Sequence, residues 1–96
     1  MSGEPANSEM WMGIGKLIEE CGEVLQLCGK LILFPDGDHP DGNGDLSVRI
    51  EEELADLHAA MRYFILVNNL NTKRISERSD RKMEKFHEWQ LVGLKS

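Results

Sequence analysis

Glu19-Glu20-Cys21-Gly22-Glu23 sits inside a long stretch in which apolar residues recur at three- and four-residue steps. That recurrence is the mark of an amphipathic helix, and it decides the fold class. Downstream, Glu53-Leu54-Ala55-Asp56 lies in a second pattern of similar strength. A helix turns by about 100° per residue, so side chains three apart leave from nearly the same face. Glu20 with Glu23, and Glu53 with Asp56, therefore each form a two-carboxylate claw. Two claws on two helices suggest a metal site.

Towards the N-terminus, Asn7 or Ser8 can cap the first helix, with Glu9 well placed at its positive end. Residues 1–7 read as a flexible tail. The pattern runs to about Leu33, with Ile14, Leu17, Cys21, Leu25, Cys28 and Ile32 forming one stripe that is expected to be core. Gly13 and Gly15 weaken the first turns and allow a short separate leading helix. Lys16, Glu20, Glu23, Leu27 and Lys30 share another face, of a kind that in most helices is simply solvated. Cys21 and Cys28 are about 10 Å apart along the helix, too far for a disulfide within it. They are expected to be buried thiols, with a crosslink between subunits or a redox role as the alternatives.

Residues 34–46, rich in Gly, Pro and Asp, form a loop that is either a plain connector or a lid. Within it, Asp41, Asn43, Asp45, Ser47, Arg49 and Glu52 fall at the spacing of a calcium-binding EF-hand. Leu46 occupies the place of the turn glycine, and the segment from Pro35 to Pro40 cannot be the helix that enters such a hand.

The second helix opens near Asp45 or Ser47 and runs to Asn68 or Asn69, with Ile50, Leu54, Leu57, Met61, Phe64 and Ile65 as its core stripe. Ala60 leaves room one turn beyond the claw. His58 is expected to be a partly buried neutral side chain. It does not complete a Glu-x-x-His motif, which counts against a di-iron bundle. A third helix, capped around Asn71 or Thr72, extends to about Leu91 and stops near Gly93. Ile75, Phe86 and Trp89 share one face of it, and Arg78 and Lys82 fill the gaps. Those two cations are either amphipathic stems covering a core edge or donors aimed at phosphate.

With 96 residues the chain is a single domain, 1–96. A domain this small buries a modest share of its surface, so a partner subunit is expected. A net charge of -6 argues against nucleic acid or an anionic membrane as partner. The polar N-terminal stretch does not read as a signal peptide, and the apolar runs Leu31 to Phe34 and Tyr63 to Val67 are too short to span a bilayer. The expected location is the cytoplasm.

If the claw helices pack together, four carboxylates converge, and their mutual repulsion either raises their pKa values or separates the helices. A hard divalent cation removes the conflict. Oxygen ligands without His or Cys suit Mg²⁺ or Mn²⁺ and disfavour zinc. Such sites hold waters and substrate phosphates, so the expected substrate is a polyphosphate. Glu19, beside the claw, is the spare carboxylate for orienting or deprotonating a water.

Glu19-Glu20-x-x-Glu23 followed after a loop by Glu53-x-x-Asp56 resembles the paired motif of the all-α nucleoside triphosphate pyrophosphohydrolases, the group of MazG and the dimeric dUTPases. The likeness covers both claw helices and reaches more faintly into the third, at Arg78, Lys82, Phe86 and Trp89. It implies an all-α bundle of three main helices completed by dimerisation, often with further assembly to a tetramer. It also implies cleavage between the α and β phosphates to give a monophosphate and pyrophosphate. Mg²⁺ would be held by Glu20, Glu23, Glu53 and Asp56, and Lys30, Arg78 and Lys82 would contact phosphate. Members commonly clear abnormal or surplus nucleotides from the pool. Only one copy of the motif is present, unlike the larger tandem MazG proteins. Two other classes are compatible with the residues: a non-catalytic acidic helical interaction module, and calcium binding by residues 41–52. Trp11, Phe34, His39, Tyr63 and Trp89 are the side chains available to border a base.

Overall fold

Residues 11–95, the part of the chain that this computed structural model describes, contain three helices joined by loops; no strand occurs among the described residues. They are α1 (Ile14–Leu33), α2 (Leu46–Val67) and α3 (Thr72–Lys95). The all-α expectation therefore stands. The tail at 1–7, the cap at Asn7 or Ser8 and the short leading helix lie outside the described residues.

The boundaries follow local chemistry. Gly13 precedes α1 with φ 82°, a left-handed conformation that favours glycine, and a Cβ there would stand 3.0 Å from the Tyr63 ring. Asn68 ties this entry to the end of α2: its side chain accepts from the Met12 N–H at 3.1 Å and donates to the Met12 carbonyl at 2.8 Å. Trp11 stacks on Phe64, with ring centres 6.0 Å apart. Asp45 caps α2, its Oδ1 accepting from both the backbone N–H and the hydroxyl of Ser47 at 2.7 Å. At the other end Asn69 turns left-handed (φ 52°), Asn69 N–H donates to Leu66 and Leu70 N–H to Ile65, the paired bonds that close a helix C-terminus. Asn71 Oδ1 accepts from Arg74 N–H and starts α3, which continues through Gly93 to Lys95 instead of stopping.

α1 and α2 form an antiparallel hairpin, while α3 packs extensively on neither. Every residue from Asn71 to Leu91 is exposed. The Cα radius of gyration is 17.1 Å, against about 12 Å for a compact chain of this length. Within one chain, then, the bundle consists of two helices with the third standing off. The buried apolar set is correspondingly small: Leu27, Leu46 and Ala60.

Which faces pack differs from the sequence-based expectation. From Cys21 onward the apolar stripe of α1 points outward: Cys21, Leu25, Cys28 and Ile32 are all exposed, Leu25 by 71% and Ile32 by 80%. The face that meets α2 instead carries Glu20 and Leu27, both buried. On α2, Leu54 and Met61 are also exposed, as is His58, whereas Ile50, Leu57, Phe64 and Ile65 are half-buried. The physical reason is that hydrophobic spacing tells which side chains gain from burial but not which neighbour supplies it. A single chain offers α1 one helix, and that helix covers the acidic face. The expected burial of the two thiols and of His58 fails for the same reason, since α3 does not come over to cover them. No described helix is long and apolar enough to cross a membrane.

Candidate metal centre

The claws are set by helix geometry and brought together by the antiparallel pairing. Glu20 and Asp56 face each other across the hairpin, and one turn along Glu23 faces Glu53 and hydrogen-bonds to it. Carboxylate oxygens of Glu20, Glu53 and Asp56 all lie within 4.8 Å of one another, and the same holds for Glu19, Glu20 and Glu23. Glu20 belongs to both groups and is only 8% exposed. Glu20 Oε2 and Glu53 Oε2 are buried, and among the described residues no donor reaches either.

An acceptor oxygen buried without a donor is destabilising, and like charges add to that. Both effects appear in the titration of the site. Burial, followed by the charges of Glu23 and Asp56, raises the pKa of Glu20. The hydrogen bond to Glu23, then burial and the neighbouring carboxylates, pushes Glu53 up to about 7. Glu53 therefore keeps its proton to higher pH than an ordinary glutamate when no cation is present to replace it. The donor set fits a hard divalent cation: all oxygen, drawn from two helices, with two oxygens that no donor reaches among the described residues.

Two hollows flank the carboxylates. One, about 310 Å³, is lined by Lys16, Glu20, Asp56, Ala59, Ala60 and Tyr63. Ala60 is the small residue that opens it. The other, about 380 Å³, is lined by Gln26, Lys30, Arg49 and Glu52 together with Glu23 and Glu53. Lys30 thus lies in the cleft beside one claw. Its Nζ is 3.3 Å from Asp41 Oδ2, and Arg49 Nη1 is 3.0 Å from Asp41 Oδ1. The Asn43 N–H also donates to Asp41 Oδ1 at 3.1 Å. That bond, with the lysine and arginine, holds Asp41 well below the usual carboxylate range. Of the residues at EF-hand spacing, Asp41 thus pairs with Lys30 and Arg49, and Asp45 accepts from Ser47.

Glu19 is exposed and accepts from Lys16 Nζ at 3.3 Å, which lifts the lysine pKa. Arg78 and Lys82 are not brought to the carboxylates within the chain. They line a separate basic groove on α3 with Arg81 and Lys85. Of the aromatic side chains, Tyr63 borders the cluster; Phe34 packs edge-on against His39, and Trp89 against Phe86. Sequence reasoning missed Arg49 as a neighbour of the site, although it stands one helical turn before Glu53, the spacing that puts two side chains on one face. Compared with protein-family models, curated proteins and solved structures, the chain finds no match.

Proposed function

We propose that the chain is a Mg²⁺-dependent nucleoside triphosphate pyrophosphohydrolase of the MazG-like all-α type, acting in nucleotide-pool house-cleaning in the cytoplasm. The observation that carries this reading is the pair of donorless buried carboxylate oxygens, Glu20 Oε2 and Glu53 Oε2, on two helices and beside Asp56. Glu20, Glu23, Glu53 and Asp56 would hold the metal. Bound there, Mg²⁺ or Mn²⁺ supplies positive charge to the polyphosphate and lowers the pKa of a water.

The chain's own residues do the rest. Glu19, solvent-accessible at the edge of the cluster, takes the proton of the attacking water. The water oxygen bonds to the α phosphorus, the bond from that phosphorus to the α–β bridging oxygen breaks, and pyrophosphate leaves with the bridging oxygen. Lys30 lies on the side of the cluster where the phosphate tail would run, and Tyr63 on the side where a base could stack.

Assembly into a homodimer or homotetramer belongs to the same reading. A lone chain exposes Ile18, Leu25, Ile32, Phe86 and Trp89, more apolar surface than a monomer ordinarily leaves open. Six of its eleven Lys and Arg lie between Lys73 and Lys85, while the hairpin is acidic, so α3 of one copy complements the hairpin of another. Arg78 and Lys82 reach a carboxylate cluster in this way.

The test is a screen of canonical and modified nucleoside triphosphates with Mg²⁺, with products separated. A monophosphate and pyrophosphate are expected, and Glu20→Gln and Asp56→Asn should remove turnover while the helical content persists. Orthophosphate as the first product would exclude α–β cleavage.

A further inference from the structure

We propose that Lys30 and Arg49 form a polyphosphate subsite beside the metal cluster, and that Asp41 occupies it as a built-in competitor which the phosphate chain must displace. The proposal rests on the pyrophosphohydrolase reading for its ligand but on separate residues for its geometry. Lys30 from α1 and Arg49 from α2 share one cleft with Glu23 and Glu53, and both point their cationic groups at one loop carboxylate, at 3.3 and 3.0 Å. The side chains of Arg49 and Asp41 are 18% and 22% exposed, although Asp41 as a whole residue lies at the surface.

A carboxylate offers a lysine and an arginine the same anionic oxygens that a phosphate does, with less charge. A phosphate chain anchored by metal at the adjoining carboxylates therefore outcompetes it. The loop is built to let go at its tip while its base stays fixed. Leu46 is fully buried, its N–H donating to the Gly37 carbonyl at 2.9 Å, whereas Gly42 and Gly44, at φ 74° and 99°, flank the tip beyond Asp41. Swinging Asp41 away breaks its pairs with Lys30 and Arg49 and its hydrogen bond from Asn43 N–H, draws its carboxylate off His39 Nδ1, which lies 3.1 Å from Oδ2 and accepts from Asp41 N–H, and leaves the base in place.

The experiment is titration of the full chain with inorganic pyrophosphate in saturating Mg²⁺, followed by calorimetry. Asp41→Asn keeps an oxygen for the Asn43 N–H but removes the competing charge. It should tighten pyrophosphate by on the order of tenfold, while Arg49→Gln and Lys30→Met should each weaken it by a similar factor. Weakening by Asp41→Asn would overturn the proposal, making Asp41 a positioning residue for the cations. Unchanged affinity in Asp41→Asn or Arg49→Gln would overturn it equally. Amide exchange in the wild-type chain provides a second measurement that needs no variant: pyrophosphate should speed exchange at Asn43 N–H, and slower or unchanged exchange counts against displacement. If pyrophosphate responds as stated but no nucleoside triphosphate is cleaved, the subsite stands and the enzymatic reading fails. Cleavage with an unresponsive Asp41→Asn has the opposite meaning.

Discussion

Binding of the proposed metal should depend on pH, because the cation must replace a proton. Glu53 titrates at about 7 through its hydrogen bond with Glu23. The affinity for Mg²⁺ is then reduced by a factor of about 1 + 10^(7 − pH) from its limiting value, since the protonated carboxyl is not a ligand. The penalty is about elevenfold at pH 6 and about 1.1-fold at pH 8, a tenfold change across the window. The metal-free chain gives the converse. A glutamate whose folded pKa is raised binds its proton in the folded state between the ordinary value of 4.5 and about 7, where the unfolded chain has released it. The stabilisation is fully present below 4.5 and is lost as pH rises through 7. Glu20 shifts in the same direction. Asp41 and Asp45 shift downward, so their contribution is lost only in acid, below the ordinary value of 3.8. Without metal the protein should therefore be less stable at pH 8 than at pH 5.5. Mg²⁺ at a hundred times its Kd restores about 2.7 kcal/mol at the higher pH. Calorimetric titrations at pH 6, 7 and 8, with Glu53→Gln as control, measure this directly. Affinity that is flat across the three values, or a pH slope undiminished in Glu53→Gln, would refute the account, since Glu20 alone leaves a smaller slope.

Leu46→Ala removes the one fully buried large side chain among the described residues and the anchor of the loop. It should cost about 2–5 kcal/mol in urea unfolding, and a loss under about 1 kcal/mol would mean that the site collapses around the cavity. Tyr63→Ala should raise KM for a nucleoside triphosphate several-fold, yet leave Mg²⁺ affinity unaltered; equal loss of both would place the ring in the metal site instead of beside a base. Leu25→Glu puts a charge on the outward stripe of α1, and sedimentation should show smaller species than the wild-type chain at equal concentration.

How far the sequence could be read follows from what each inference needed. The claws were legible because a spacing of three on a helix is rigid geometry, independent of anything distant in the chain. The caps at Asp45 and Asn71 were among the alternatives that side-chain chemistry offered, and local hydrogen bonds chose between them. The packing faces were misread, since Leu25, Ile32 and the α1 cysteines form a stripe that asks for a partner without naming one. Glu20 was half lost in what looked like a solvated face; only the approach of α2 turns that face inward. The link from Asp41 to Lys30 and Arg49 depends on the path of a twelve-residue excursion between helices, and no periodicity encodes such a path.

Cys21 and Cys28 both stand open on the outer side of α1. Each is a chemical handle on the face that the proposed second copy is expected to cover, so the rate of thiol alkylation tests occupancy of that face without any engineered label. Dilution should then quicken modification of the native polypeptide, and mass spectrometry of the two peptides would locate which half of the helix is uncovered first.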